Sequence, residues 1–322
     1  MGTGETAVSG QAAAPREAGI DAGRFLAFIG VVLIHIADMG SPAGFWGAAF
    51  GRFAVPMFFM VSGYFIGETE PYVAKIGRYS RRLLPLFAFW AALYLIAYAA
   101  WPHSTREWAL LLIKGGRGNH LWFIPSLWLC LVTALILLHF VGLRLALLVA
   151  GALYAAGLLI GSYAPLVGLE QSAWNPRDGI TFGLLPVMAG YALRRRPIAI
   201  RPAPAAILFG VLSAVNMTEY WLVLQLHPRY TEFFITTPLV AFMAFSLARA
   251  WQPRGALAGS MSRLGRLSLG FYAIHMFFVN LCKLLLPHNF LGWAASLPLV
   301  VAMSVASTHA LARWPALRRF LQ

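Results

Sequence analysis

The chain of 322 residues is 60% hydrophobic and only 11% charged, with a mean hydropathy of +0.70. An ordinary soluble domain carries roughly a quarter charged residues, so a soluble globular enzyme is excluded. The formal charge of +14 would suit nucleic acid if it formed a stripe, but the basic residues fall in short clusters between apolar runs, as in the loops of a membrane protein, and nucleic-acid binding is excluded as well.

Residues 1–21 form a polar tail with no apolar core before Ile20, so the first apolar run reads as a retained span and not as a cleaved signal peptide. From there, apolar stretches lie near 22–39, 45–66, 83–101, 120–139, 143–164, 178–193, 203–221, 233–250, 267–286 and 291–312. They predict an all-α, polytopic integral membrane protein with about ten transmembrane helices, in which residues 22–322 form a single domain. The stretches at 22–39 and 178–193 are short for a full span. Eighteen of the 25 Lys and Arg fall in one set of loops and five in the other, which places both termini in the cytoplasm. Cys130 and Cys282 sit inside apolar runs as small hydrophobes, with neither a disulfide framework nor a metal pair. No internal repeat of matching length is present, which weighs lightly against a transporter built from inverted halves.

Polar groups inside spans are the candidates for function, because an unpaired charge at the bilayer centre costs at least ~2.5 kcal/mol. Arg24 and His35 are eleven residues apart on the first span, about 20° from three whole turns and roughly 16 Å of rise, so they share one face. Asp38, one turn on, can reach the imidazole and fix its tautomer. Arg24 as a positive-inside anchor and His35 as a helix–helix hydrogen bond is an equally available reading. Arg52 enters the second span from outside, within reach of the outer headgroups, and Ser62-Gly63 near its cytoplasmic end suits close helix packing. Arg78, Arg81 and Arg82 cluster just outside the membrane on the cytoplasmic side, where guanidinium forks suit phosphate and also suit lipid headgroups. Asn119, His120 and Trp122 open the fourth span on the outer face: Trp122 as an interface aromatic, Asn119 and His120 as possible sugar contacts. His275 lies nine residues in from Arg266 on the ninth span, at a depth similar to that of His35. No span carries the paired histidines of a metal helix, and no metal is expected. Glu219, at the outer end of the seventh span, is an acid that an incoming sugar could meet, or a solvated helix end.

In order along the chain, Arg24-x10-His35, RFAVPMFFMVSGYF, the Arg78-x-x-Arg81 loop, HLWFIPSLW and LSLGFYAIH resemble the membrane-bound acyltransferase-3 family, which O-acylates cell-envelope carbohydrates in bacteria. The resemblance is patchy between residues 143 and 230. It is nearest to the short O-acetyltransferase branch that lacks an appended soluble domain. The resemblance implies transfer of an acyl group, usually acetyl, from cytoplasmic acetyl-CoA to a hydroxyl of an extracytoplasmic or lipid-linked carbohydrate. The setting it implies is a multi-pass protein of the bacterial inner membrane, with membrane lipid as a further partner. It makes His35 catalytic and Arg24 its partner toward the donor, with Arg78, Arg81 and Arg82 on the coenzyme A phosphates. His35 can then act as general base on the acceptor, oriented by Asp38, or be acylated itself. Arg52 is a candidate for oxyanion stabilisation, and His275 is a family-pattern residue that either supports the reacting groups from behind or lies on the acceptor side. A transporter or flippase, which also needs intramembrane Arg and His, is the rival reading.

Overall fold

The structure is a computed structural model that describes residues 17–321 apart from 117, 173, 199 and 233; the side chain of Asn119 and the N-terminal 1–16 lie outside the described residues. All regular structure among the described residues is helical. The first helix, α1 (Ala18–His35), starts inside the expected tail and stops at His35 instead of running to 39. The second span is broken into α2 (Pro42–Gly51) and α3 (Ala54–Tyr64), with Arg52 and Phe53 at the break. Then come α4 (Tyr72–Ala97), a short α5 (Thr105–Lys114), α6 (Phe123–Phe140), entered through a 3₁₀ turn at Asn119–Trp122, and α7 (Gly142–Ile160). The second half holds α8 (Ile180–Arg195), α9 (Pro202–Leu224), α10 (Thr237–Ala250), α11 (Gly255–Arg266), α12 (Ser268–Leu285), α13 (Phe290–Ala312) and a last turn, α14 (Pro315–Arg318).

Among the described residues eight segments are long and apolar enough to cross a bilayer. They match eight of the ten expected spans. The other two are α8, of 16 residues, and α10, of 14, both shorter than the ~20 residues a full crossing needs. Both pack against other helices of the bundle, α8 against α3 and α7, and α10 against α1, α3 and α9.

The helices divide into an inner and an outer set. More than half of α1, of the α2–α3 span and of α6, and half of α12, is buried inside the protein, against 22% of α7, α9 and α13. The outer set presents apolar side chains such as Leu148, Ile207 and Leu299 outward, as lipid-facing helices do. The closest inner contact is between α3 and α8. A Cβ at Gly63 would lie 1.9 Å from the Val187 carbonyl oxygen, and one at Gly190 1.9 Å from that of Met60, so these glycines let the two backbones touch.

Two amphipathic helices escape a search for apolar spans. In α5, Ser104 caps the N-terminus by accepting from Glu107 N at 3.3 Å, and Gly115 ends the helix at φ 79°, a left-handed conformation that favours glycine. α11 lies across the start of α1, with Gly265 pressed against the Asp21 side chain. The C-terminal turn folds back between α4 and α12: Trp90 Nε1 donates to the Phe320 carbonyl at 2.8 Å, and Gly270 N to that of Leu321 at 3.0 Å. Both described ends of the chain therefore lie on the arginine-rich face, which the positive-inside asymmetry makes cytoplasmic.

Candidate active site

A cavity of about 630 Å³ opens on the arginine-rich face between α1, α3, α4, α6, α11 and α12. Its lining includes Arg24, Arg78, Arg82 and Arg266 together with the carboxylates Glu17 and Asp21. Arg24 comes from the second turn of α1, where Asp21, one turn earlier, accepts from its Nη1 at 3.1 Å, and its guanidinium lies 5.3 Å from the Phe65 ring. Arg78 pairs with Glu70 at the rim. Deeper, the wall turns apolar and aromatic with Phe58, Leu127, Phe123 and Tyr272. The result is a basic entrance leading to a narrow greasy end, a shape suited to a ligand anionic at one end and slender at the other.

Tyr272 at that end donates its hydroxyl to the carbonyl of His120. On the far side of this contact lie three imidazoles. His275 is 5.2 Å from His35 and 5.1 Å from His120 between ring centroids, and His35 and His120 are 6.4 Å apart. His120 and His275 are buried, 4% and 0% exposed. Backbone carbonyls fix two of the tautomers, because a carbonyl can only accept. His275 Nδ1 lies 2.5 Å from the Tyr272 oxygen and must carry the proton, leaving Nε2 as the lone pair; that Nε2 is buried and meets no hydrogen-bond partner among the described residues. His120 Nε2 lies 3.0 Å from the Ala273 oxygen and must likewise be the N–H. The same carbonyl accepts from Tyr94 at 2.9 Å, so α4, α12 and the 3₁₀ turn that leads into α6 are joined at one point of the chamber.

On the opposite face the charges are paired off. Lys114 meets Asp178 at 2.6 Å; Arg177, beside Asp178, reaches Glu232 at 2.6 Å and stacks 4.7 Å over Trp122. Asn175 Nδ2 and Thr231 N donate to the second Glu232 oxygen at 3.2 and 3.1 Å. Burial alone would push the Glu232 carboxyl up, but the positive charges of Arg177 and Arg52 and the hydrogen bonds from Asn175 and Thr231 outweigh it and hold it below its ordinary value. Ser126 ties this loop to α6 by donating to the Gly179 carbonyl at 3.0 Å.

Several expected site residues stand elsewhere. Asp38 does not orient His35: its carboxylate pairs with Lys283 at 2.7 Å on the outer surface, the nearest cation once α1 ends at His35. Arg81 does not face the cavity with Arg78 and Arg82. Its guanidinium instead folds back over Gly77. Arg52 sits at the α2–α3 break with its guanidinium 5.1 Å from the Tyr220 ring, not in the cavity. Glu219 is not a solvated helix end. Its carboxylate is filled by Tyr163, Thr236 Oγ1 and the amides of Ile235 and Thr236, and so staples α9 to the loop before α10. His120 is an interior residue and not an outer surface contact, because the 3₁₀ turn at 119–122 carries it inward. Trp122 is buried beneath Arg177 instead of lying in an interface belt. The side chain of Asn119 lies outside the described residues. Arg24 lines the cavity, while His35 belongs to the imidazole group beyond its end.

Sequence reasoning missed Arg177, Tyr272 and Lys283. The only signal for Arg177 was the turn chemistry of Asn175-Pro176 before it, where Asn175 accepts from Arg177 N at 3.2 Å. Among the described residues no three His, Cys, Asp or Glu side chains converge to hold a metal ion.

The comparisons with known proteins follow the same lines. The chain matches a family model described as an acyltransferase domain, Acyl_transf_3, over residues 17–312. It is 25% identical to a serine/alanine racemase of Enterococcus gallinarum over 292 residues, covering 80% of this chain and 40% of that protein. It is 24% identical to an amino-acid racemase of Enterococcus faecalis over 267 residues, covering 74% of this chain and 38% of that protein. The chain thus spans about two fifths of the length of the curated relatives it matches. No solved structure matches it. With a family match across nearly the whole bundle, the chain belongs to the acyltransferase-3 family.

Proposed function

We propose that the protein moves an acetyl group from cytoplasmic acetyl-CoA to a hydroxyl of an extracytoplasmic or lipid-linked carbohydrate, in the inner membrane of a bacterium. The observation that carries this reading is the cavity whose mouth holds Arg24, Arg78 and Arg82 and whose far end reaches Tyr272, next to the imidazoles of His35, His120 and His275. Coenzyme A is polyanionic at one end and bears its thioester at the tip of a thin arm. Guanidinium forks at the mouth suit the phosphates, the Phe58–Phe123 wall suits the arm, and the thioester comes to rest against the histidines. Arg24 and His35, roughly 16 Å apart along α1, set the span between the two ends.

At the chamber, His35 takes the proton of the acceptor hydroxyl as its oxygen attacks the thioester carbonyl. The new C–O bond forms, the C–S bond breaks, and the imidazolium returns the proton to the thiolate. The burial of the chamber keeps water from the thioester. The racemase names of the distant relatives are not carried over, since the likeness covers the smaller part of those proteins.

The test is donor consumption. Membranes containing the protein are expected to release free coenzyme A from labelled acetyl-CoA and to pass the label to envelope glycan, and His35→Ala is expected to stop both while the protein still folds. A carrier would leave acetyl-CoA intact, and an active His35→Ala variant would remove His35 from the chemistry.

A further inference from the structure

The imidazole of His35 needs an orienting partner if one of its nitrogens is to present a lone pair to the acceptor. The carboxylate nearest in sequence is spent on Lys283. His120 is a poor substitute: its ring is 6.4 Å from that of His35, whereas two imidazoles joined by an N–H···N bond have centroids about 5 Å apart. His275 meets the distance, at 5.2 Å. It also meets the chemistry. Its Nδ1–H is committed to the Tyr272 carbonyl at 2.5 Å, and its buried Nε2 lone pair has no partner among the described residues, a state that ordinarily costs about 1–3 kcal/mol unless function uses the group.

Resting on the acyl-transfer reading above, we propose that His275 is the positioning residue for His35, accepting the His35 N–H at its Nε2 and so holding the other His35 nitrogen as the base. The last torsion of a histidine side chain is soft, so the His35 ring can turn its N–H toward Nε2 without movement of α1 or α12. When His35 takes up the acceptor proton, the same contact becomes a charge-assisted hydrogen bond to the imidazolium. A neutral imidazole locked by a backbone carbonyl thereby fills the place that a carboxylate holds in a Ser-His-Asp triad. A neutral partner suits this apolar chamber, because a carboxylate there would itself have to be desolvated.

The experiment compares His275→Leu with His275→Gln in the purified full-length protein, reading free coenzyme A release from acetyl-CoA and checking each variant's thermal unfolding. Leu removes the acceptor and Gln restores one, through its side-chain carbonyl. The expected result is a fall in kcat of about a hundredfold or more for Leu with the KM for acetyl-CoA unchanged, and recovery to within about tenfold of the parent for Gln. Equal losses in two folded variants, or full kcat in the Leu variant, would overturn the proposal. Nitrogen-15 spectra of labelled histidines in the unaltered protein give a readout independent of turnover and of the variants' folding. His275 is expected to be protonated at Nδ1 and hydrogen-bonded at Nε2, and a proton on Nε2 would overturn the assignment. An unaltered protein that releases no coenzyme A contradicts the acyl-transfer reading instead, and the spectra then decide the histidine contact alone.

Discussion

The two faces of the bundle use the same residue types in opposite ways. On the cytoplasmic side, four arginines surround an open cavity with Glu17 and Asp21 among them and Glu70 at the rim, so the basic groups outnumber the acids there. On the outer side, Lys114, Asp178, Arg177 and Glu232 alternate in sign and are packed against one another over Trp122, so little field is left over. A surplus of charge around a void is suited to attracting a ligand of the other sign, whereas a neutralised chain of charges over packed aromatics is suited to holding loops in place. The comparison separates arginines that line a cavity from arginines packed into an ion-pair network, which net charge alone cannot do.

The comparison breaks most readily at the helices that hold the two faces in register. Gly190→Leu would drive a side chain into the Met60 carbonyl and part α3 from α8; the expected outcome is loss of folded protein in detergent size-exclusion, and a stable, active variant would refute the close packing. Next in size, Arg24→Ala and Arg82→Ala should each raise the KM for acetyl-CoA by about 10- to 100-fold with kcat little altered, each lost charge-assisted contact being worth roughly 1.5–3 kcal/mol. Arg177→Ala should do the reverse, lowering the unfolding temperature by leaving Glu232 without its cation, while the KM for acetyl-CoA stays put; a raised KM would show that the outer network also serves the donor. Acidification probes the same network more gently. Because the Glu232 carboxyl titrates below its ordinary 4.5 in the folded protein, its stabilising contribution is complete above about pH 4.5 and is lost as pH falls further. The Glu232→Gln variant should show a shallower decline over that window, and parallel declines would remove Glu232 as the cause. The smallest effect is expected of Arg81→Ala, which should leave the KM for acetyl-CoA unchanged although its neighbour Arg82 lines the cavity.

The inner face was the more legible of the two in the sequence. Apolar runs and loop charges give the spans and their orientation, since bilayer thickness and the positive-inside bias act locally along the chain. Arg24 follows from its helical spacing to His35, and Arg78 and Arg82 from the basic cluster beside those limits, in which nothing sets Arg81 apart. What was hidden depends on contacts between distant segments. Asp38 and Lys283 are 245 residues apart, and no periodicity announces that they pair. His120 reads as an outer surface residue until a 3₁₀ turn, set by the loop glycines before it, directs it to the Ala273 carbonyl of α12. Glu219 looks like a solvated acid because its four donors come from Tyr163 and from the loop before α10. The amphipathic α5 and α11 are invisible to a search for continuous apolar stretches because half of each helix is polar.

The central claim, that the donor enters through the basic mouth and not through the outer network, is tested most directly by sidedness. Labelled acetyl-CoA is added to sealed vesicles of opposite orientation, cytoplasmic face outward in one preparation and inward in the other. Release of coenzyme A and transfer of label are expected only when the arginine-rich face meets the added donor. Equal turnover in both orientations, or turnover only from the face that carries Arg177 and Glu232, would contradict the account.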